Sequence, residues 1–454
     1  MKMIRKAGFM FVLAMVFMAG CTGSNGKNGA IGATGPQGPT DPTVSWVLPV
    51  QGANDVYTDS VIKVGFAKPM DSSTINASTF SVSTGGITLA GTISYNAGSQ
   101  TAFFDPNIPL APFDSYTASL STGIKDAQGN PLQAAYTWSF VAGGSSTPMN
   151  LYVGVFSSSQ ILVFNKAGAA QGNIFPDRNI SGGSTLIFGP ESIWLDKASD
   201  RLYVANVGAA SIGIFDNAST ANGNIAPSRT IVGASTGLTR PSGMWYDSAS
   251  DTLYVSDQTG NSVVVFANVS TLNGNVAPTR TISGANTTLS TPVGIWYDLL
   301  TNELYVANYG NATIDIFDNA NTLNGNIAPS RVISGSNTTF LNPVALWLDN
   351  SSDQLYVTDY SKGAVDVFDN ASSVNGNIAP SRIISGTNTT LSIPWTMWLD
   401  SSNNQLYVSN GVGQSVVVFD GADTLNGNVA PSRSIAGVNT GLGQPIGLWL
   451  DMNP

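Results

Sequence analysis

Histidine is absent from all 454 residues, and glutamate occurs only at Glu191 and Glu303. The first absence excludes imidazole general bases, Ser/His triads and the usual zinc, copper and iron sites. The second means that a paired-carboxylate glycosidase centre would have to be built from aspartates. Cys21 is the single cysteine, so no disulfide framework exists. Charged residues make up 10% of the chain, with a net charge of -10 and a pI near 4.3. A nucleic-acid partner is therefore not expected, since such binding needs a basic footprint. No phosphate-cradling glycine loop, EF-hand pattern or redox motif is present, and no cofactor is expected. Calcium held by Asp and Asn oxygens stays open. The abundance of Gly, Asn, Ser and Thr points to strands and turns, not long amphipathic helices.

At the N-terminus, Lys2, Arg5 and Lys6 precede an apolar run from Ala7 to Ala19 that is short for a bilayer span. Residues 1–20 are read as an export signal. It ends in Met18-Ala19-Gly20-Cys21, which resembles the lipobox of bacterial lipoproteins and implies a lipid on Cys21 and membrane attachment at the cell envelope, at the outer membrane or cell surface. The alternative is a plain secreted protein with an incidental cysteine. Through residues 21–40 glycine recurs every third position from Gly23 to Gly38, the period of a collagen helix. This segment is expected to be a tether with, at most, weak trimerisation.

Residues 41–142 hold seven β-rich runs separated by turn residues: 43–50, 61–67, 79–84, 87–96, 100–105, 115–122 and 135–141. Seven short strands in about a hundred residues predict a β-sandwich. The segment resembles the bacterial Ig-like domain through Lys68-Pro69-Met70-Asp71, Ser78-Thr79-Phe80, Asp126-Ala127-Gln128-Gly129-Asn130 and Tyr136-Thr137-Trp138-Ser139-Phe140. That resemblance implies a spacer module. Residues 143–148 read as a linker.

From 149 to 454 the chain repeats with a period of 51 residues. Leu-Tyr-Val begins at Leu151, Leu202, Leu253, Leu304, Leu355 and Leu406, and the same spacing links Trp194 to Trp449 and Phe164 to Phe419. Each unit holds four apolar or alternating runs, the content of a propeller blade. The first copy lacks its opening strand, while the chain ends with a spare one at Gly447–Asp451. That strand is expected to close a ring of six blades. The fold class is therefore all-β: an Ig-like β-sandwich followed by a six-bladed β-propeller. Prolines 176, 227, 278, 329, 380 and 431 are expected to open each outermost strand, where a missing N–H is tolerated. The arginine two residues after each reads as structural, and the repeated aspartates from Asp196 to Asp451 read as turn formers. Runs such as Leu304-Tyr305-Val306-Ala307-Asn308-Tyr309-Gly310 resemble the NHL and YVTN propeller families, which implies a binding scaffold.

Candidate function rests on where the repeat is broken. Just after Leu-Tyr-Val-X-(Asn/Asp) the copies read Phe156, Val207, Gln258, Tyr309, Tyr360 and Gly411, and three residues before the repeated tryptophan they read Glu191, Ser242, Val293, Val344, Trp395 and Ile446. Both positions are expected on one face around the channel. Tyr309, Tyr360 and Trp395 then form a candidate ligand-binding group for a glycan or a protein hot spot. Glu191 lies across the ring, as part of that face or as a lone solvated carboxylate. The reading is a non-catalytic surface lipoprotein that binds a protein or glycan partner. The alternatives are an extracytoplasmic enzyme of the lactonase or lyase kind and a purely structural envelope component.

Overall fold

Period-two burial shapes the first module, as in Ser115–Leu120, where Tyr116, Ala118 and Leu120 point inward. A computed structural model describes residues 42–451 apart from 54, 55, 57, 59, 144–148, 166 and 169. The export signal, Cys21, the tether and most of the linker lie outside the described residues. The module contains β1 (Val44–Leu48), β2 (Ile62–Phe66), β3 (Phe80–Thr84), β4 (Ile87–Thr88), β5 (Gly91–Asn96), β6 (Thr101–Pro106), β7 (Ser115–Leu120) and β8 (Tyr136–Val141). They pair as two sheets, β1-β2-β6-β5 and β4-β3-β7-β8. Ile62, Val64 and Phe104 of one sheet share a core with Phe80, Tyr116, Trp138 and Phe140 of the other. The count differs from the seven runs of the sequence. The run 87–96 breaks at Leu89–Ala90 because the chain changes sheets there, with β4 on β3 and β5 on β6.

Six more four-stranded sheets follow among the described residues. Sheet 2 runs Pro190–Asp196, Arg201–Asn206, Ser211–Asp216 and Arg229–Val232, in chain order from the inside outward. Sheets 3 to 6 repeat this order over 241–283, 292–333, 343–385 and 394–436. Sheet 1 is assembled from both ends: Asn150–Val155, Gln160–Phe164 and Arg178–Ile180 receive Pro445–Asp451 as their innermost strand. This is the partner that the strand count along the chain requires.

Burial on both faces explains the apolar Leu-Tyr-Val strands. In sheet 6, Leu406 and Val408 pack with Tyr356 of sheet 5, while Tyr407 packs on Leu151 and Val153 of sheet 1. Each inter-sheet core is thus made from opposite faces of neighbouring sheets. On the axis the six repeated tryptophans meet in a closed ring, with centroids 4.2–4.7 Å apart from Trp194 round to Trp449 and back. Adjacent indole planes turn by 56–63°, so each ring stands roughly along the axis.

The Asn-Gly-Asn loops latch each sheet to the one before it. Asn222 Oδ1 accepts the Asn179 N–H at 2.9 Å, Gly223 pairs with Ile180, and Asn224 Oδ1 accepts the Ser184 N–H at 2.8 Å. Glycine is required at Gly182, where φ is 118° and a Cβ would lie 2.5 Å from Asn224 Oδ1. The repeated arginines complete the join: Arg178 donates to the carbonyls of Ala218 and Ala221 in the next sheet, and Arg433 reaches those of Ala167 and Ala170 across the closure. Arg229 departs from the pattern and pairs with Asp216. The outer strands begin at these arginines, two residues after the prolines predicted to open them. Prolines instead begin the innermost strands, from Pro190 to Pro445.

The sandwich joins the ring through a buried ion pair. Lys63 Nζ lies 3.1 Å from both oxygens of Asp420, which also accepts from Gln405 Nε2 at 2.8 Å.

Candidate functional site

A bulge follows each of the prolines that begin the inner strands, and it re-aims the next side chain. These positions hold Glu191, Ser242, Val293, Val344, Trp395 and Ile446. They share a face with the loops after the second strands because Pro190 pairs with Asn206 and Pro394 with Asn410. In sheets 2 to 6 the Asn or Asp ending the second strand holds the loop that enters the inner strand, while sheet 1 has Val155 there. Asp359, for example, accepts the N–H groups of Leu341 and Asn342, and Asn410 that of Ser392. The loops of this mouth are therefore fixed by repeated residues, and the residues beside them are free to vary.

The structure brings three of the four predicted site residues together. Tyr309 and Tyr360 meet edge to face at 5.8 Å with an interplanar angle of 72°, and Tyr360 meets Trp395 at 5.3 Å and 83°. All three are half-buried. Sheets 4, 5 and 6 each contribute one ring. Contacts of this kind add about 0.5–1.5 kcal/mol beyond area burial, so the row is held in shape without a ligand.

Glu191 is placed differently from the solvated carboxylate that the sequence left open. It is 2% exposed, and Oε1 accepts from Gln258 Nε2 at 2.8 Å. Gln258 comes from sheet 3, in the loop position that carries tyrosine in sheets 4 and 5. Glu191 Oε2 and the Ser242 hydroxyl are buried without a partner in hydrogen-bond geometry, although the hydroxyl is near enough to favour the ionised carboxyl slightly. Burial dominates and raises the Glu191 pKa to about 7, against the pull of Arg240 and Gln258. Glu191 and the aromatic row thus occupy separate parts of the mouth.

Two carboxylates escaped sequence reasoning. Asp315 and Asp366 sit fully buried in the third strands of sheets 4 and 5, where the other copies have Leu162, Gly213, Val264 and Val417. Asp315 accepts from Thr288, Asn308 and Thr313. Asp366 Oδ1 pairs with Lys362 at 2.6 Å while Oδ2 has no partner. Burial raises its pKa to about 6 despite Lys362. The repeat break at these positions was the available signal.

The repeated aspartates cap turns, as Asp298 does for Leu300 and Thr301. Among the described residues, no group of three or more Asp, Glu, Cys or His side chains is placed to hold a metal ion, and no helix is long and apolar enough to cross a membrane.

Comparison with known proteins gives the first module its class. Residues 38–142 match the bacterial Ig-like domain family. No curated protein matches the chain. Among solved structures, it is similar to a nidogen/laminin complex at 15% identity and a TM-score of 0.49, over 67% of this chain and 98% of that one. It is also similar to a protein of Bacteroides fragilis described as a candidate 6-phosphogluconolactonase, at 14% identity and a TM-score of 0.43, over 65% and 84%. The β-propeller domain of Cps50 (Swd1) from Myceliophteria thermophila gives 14% and 0.38, over 57% and 73%. These are likenesses of architecture and carry nothing about activity. The chain thus joins a bacterial Ig-like sandwich to a propeller-like, all-β ring.

Proposed function

We propose that this chain is a non-catalytic lipoprotein of the bacterial surface, whose six-bladed propeller of the NHL/YVTN kind presents its mouth to a protein or glycan partner. The observation that carries this reading is the row Tyr309–Tyr360–Trp395, which replaces repeat residues on three adjacent sheets with touching, half-exposed rings. Such a surface suits the apolar face of a sugar or an aliphatic protein anchor. The absence of histidine and the scarcity of glutamate support a binding role over lactonase or lyase chemistry.

Lipid on Cys21 would hold this module at the envelope, and Cys21→Ser is expected to release the protein from membranes. The binding reading is tested by changing Tyr309, Tyr360 and Trp395 to Ala together and comparing the full chains on a glycan array and on bacterial and host cells. Loss, in the folded variant, of at least one glycan or cell type bound by the wild type supports the reading. Retention of every wild-type partner by the variant overturns it.

A further inference from the structure

The sandwich does more than rest on the ring: it walls a cleft beside the ion pair that joins them. The cavity measures about 360 Å³ and is lined by Trp46, Ser99 and Thr101 of the sandwich and by Asn388, Asn428 and Ser432 of sheets 5 and 6. That volume falls within the roughly 300–1,000 Å³ of small-ligand sites, which are common at domain junctions. The asparagine pair is a copy of the latch found between other sheets. Asn388 N–H donates to Asn428 Oδ1 at 2.7 Å, as Asn337 does to Asn377 and Asn286 to Asn326. At this copy the sandwich adds a second wall, and that wall carries an indole.

Trp46 is fixed in place by two glycines. It stands opposite Gly65 in the β1–β2 register, and a Cβ on Gly65 would fall 2.1 Å from Trp46 Nε1. On the ring side, a Cβ on Gly421 would be 3.7 Å from the same indole. The ring is thus wedged between both modules, half-buried, with its orientation set before any ligand arrives. Polar groups surround it. The Ser99 hydroxyl is shielded and makes no hydrogen bond. Asn428 uses its side-chain carbonyl in the latch, which leaves its NH₂ group for another acceptor. The only ionised group in the lining is Asp420, already paired with Lys63.

We propose that this cleft binds an uncharged sugar residue of a glycan, with Trp46 as its stacking platform and the asparagine side chains as partners for its hydroxyls. An aromatic face answers the C–H face of a pyranose, while amides answer its edge. The lining selects against acidic sugars, because its one charge is the paired Asp420 and a carboxylate would lose its hydration without gaining a free cation. The site is separate from the mouth and does not depend on the reading proposed for it.

The test uses the full chain on an array of glucose-, galactose-, mannose- and N-acetylglucosamine-terminated neutral glycans with sialylated controls, followed by titration of the best neutral glycan. The variants are Trp46→Ala, Trp46→Phe, the cleft-filling Ser99→Tyr, and the triple Tyr309/Tyr360/Trp395→Ala. The expected result is neutral-glycan binding weakened about tenfold or more by Trp46→Ala and by Ser99→Tyr, nearly retained by Trp46→Phe, and unchanged in the triple variant. Ser99→Tyr, whose substitution lies in a turn, keeps the test valid if Trp46→Ala loosens the junction. The proposal is overturned if the wild type binds none of these glycans, if it prefers the sialylated ones, or if binding survives both cleft variants. Loss only in the triple variant would also overturn it and would assign sugar recognition to the mouth.

Discussion

Glu191 is kept by a single donor, Gln258, in a setting that favours its neutral form. Its folded pKa of about 7, against 4.5 for the exposed group, corresponds to roughly 3 kcal/mol. The folded carboxyl holds its proton between about pH 4.5 and 7 while the unfolded one has lost it, so this residue's contribution falls as pH rises through that window and is level above it. Glu191→Gln removes the titration and keeps the shape. Denaturant unfolding of both proteins from pH 4 to 8 is expected to show the wild type losing stability relative to the variant between pH 4.5 and 7; parallel curves would contradict this. Lys63 has the opposite dependence. Burial lowers its pKa to about 8 even with Asp420 beside it, so its contribution grows as pH rises from about 8 towards 10.5. Removing one partner of so buried a pair is the costly change: Lys63→Ala is expected to destabilise the protein by about 3–5 kcal/mol, and Lys63→Met with Asp420→Leu by much less. Equal losses in the single and double variants would show that packing, not the stranded carboxylate, sets the cost.

At the scale of elements, the ring stands or falls on Pro445–Asp451. Leu448 and Leu450 of this strand pack in the same core as Leu151, Val153 and Tyr407, and Trp449 links Trp398 to Trp194. Ending the chain before Pro445 therefore opens the tryptophan ring and bares an inner edge. Calorimetry of the truncated protein is expected to show a lower melting temperature for the whole ring. An unchanged transition would mean that the first sheet is complete without it. This strand was legible in the sequence because a fixed period makes a missing and a surplus element visible together. The aromatic row was legible for the same reason, since a broken repeat marks a position released from structural duty. The division of the run 87–96 was not, because its composition stays β-rich while the chain changes sheets. Glu191 was legible as an exception with its exposure left open: it is buried and bonded to Gln258 of the neighbouring sheet, which no local pattern reports. The Lys63–Asp420 pair was invisible, since it joins a non-repeating module to one copy of a repeat across 357 residues of sequence.

For the whole molecule, the two modules pack together with the aromatic row on the ring. The sandwich is fastened to the ring by a buried charge pair and a wedged indole, while Tyr309, Tyr360 and Trp395 stand together where the second strands end and the inner strands begin. A partner bound there, as proposed, would meet rings already in place, and the energy of association would not be spent on ordering them. The direct measurement is an affinity capture from envelope extracts and from glycan pools, run in parallel with the full wild-type chain and the Tyr309/Tyr360/Trp395→Ala variant, with both proteins shown to be folded by their melting transitions. At least one protein or glycan is expected to be retained by the wild type and lost from the variant. The same set retained by both would contradict it.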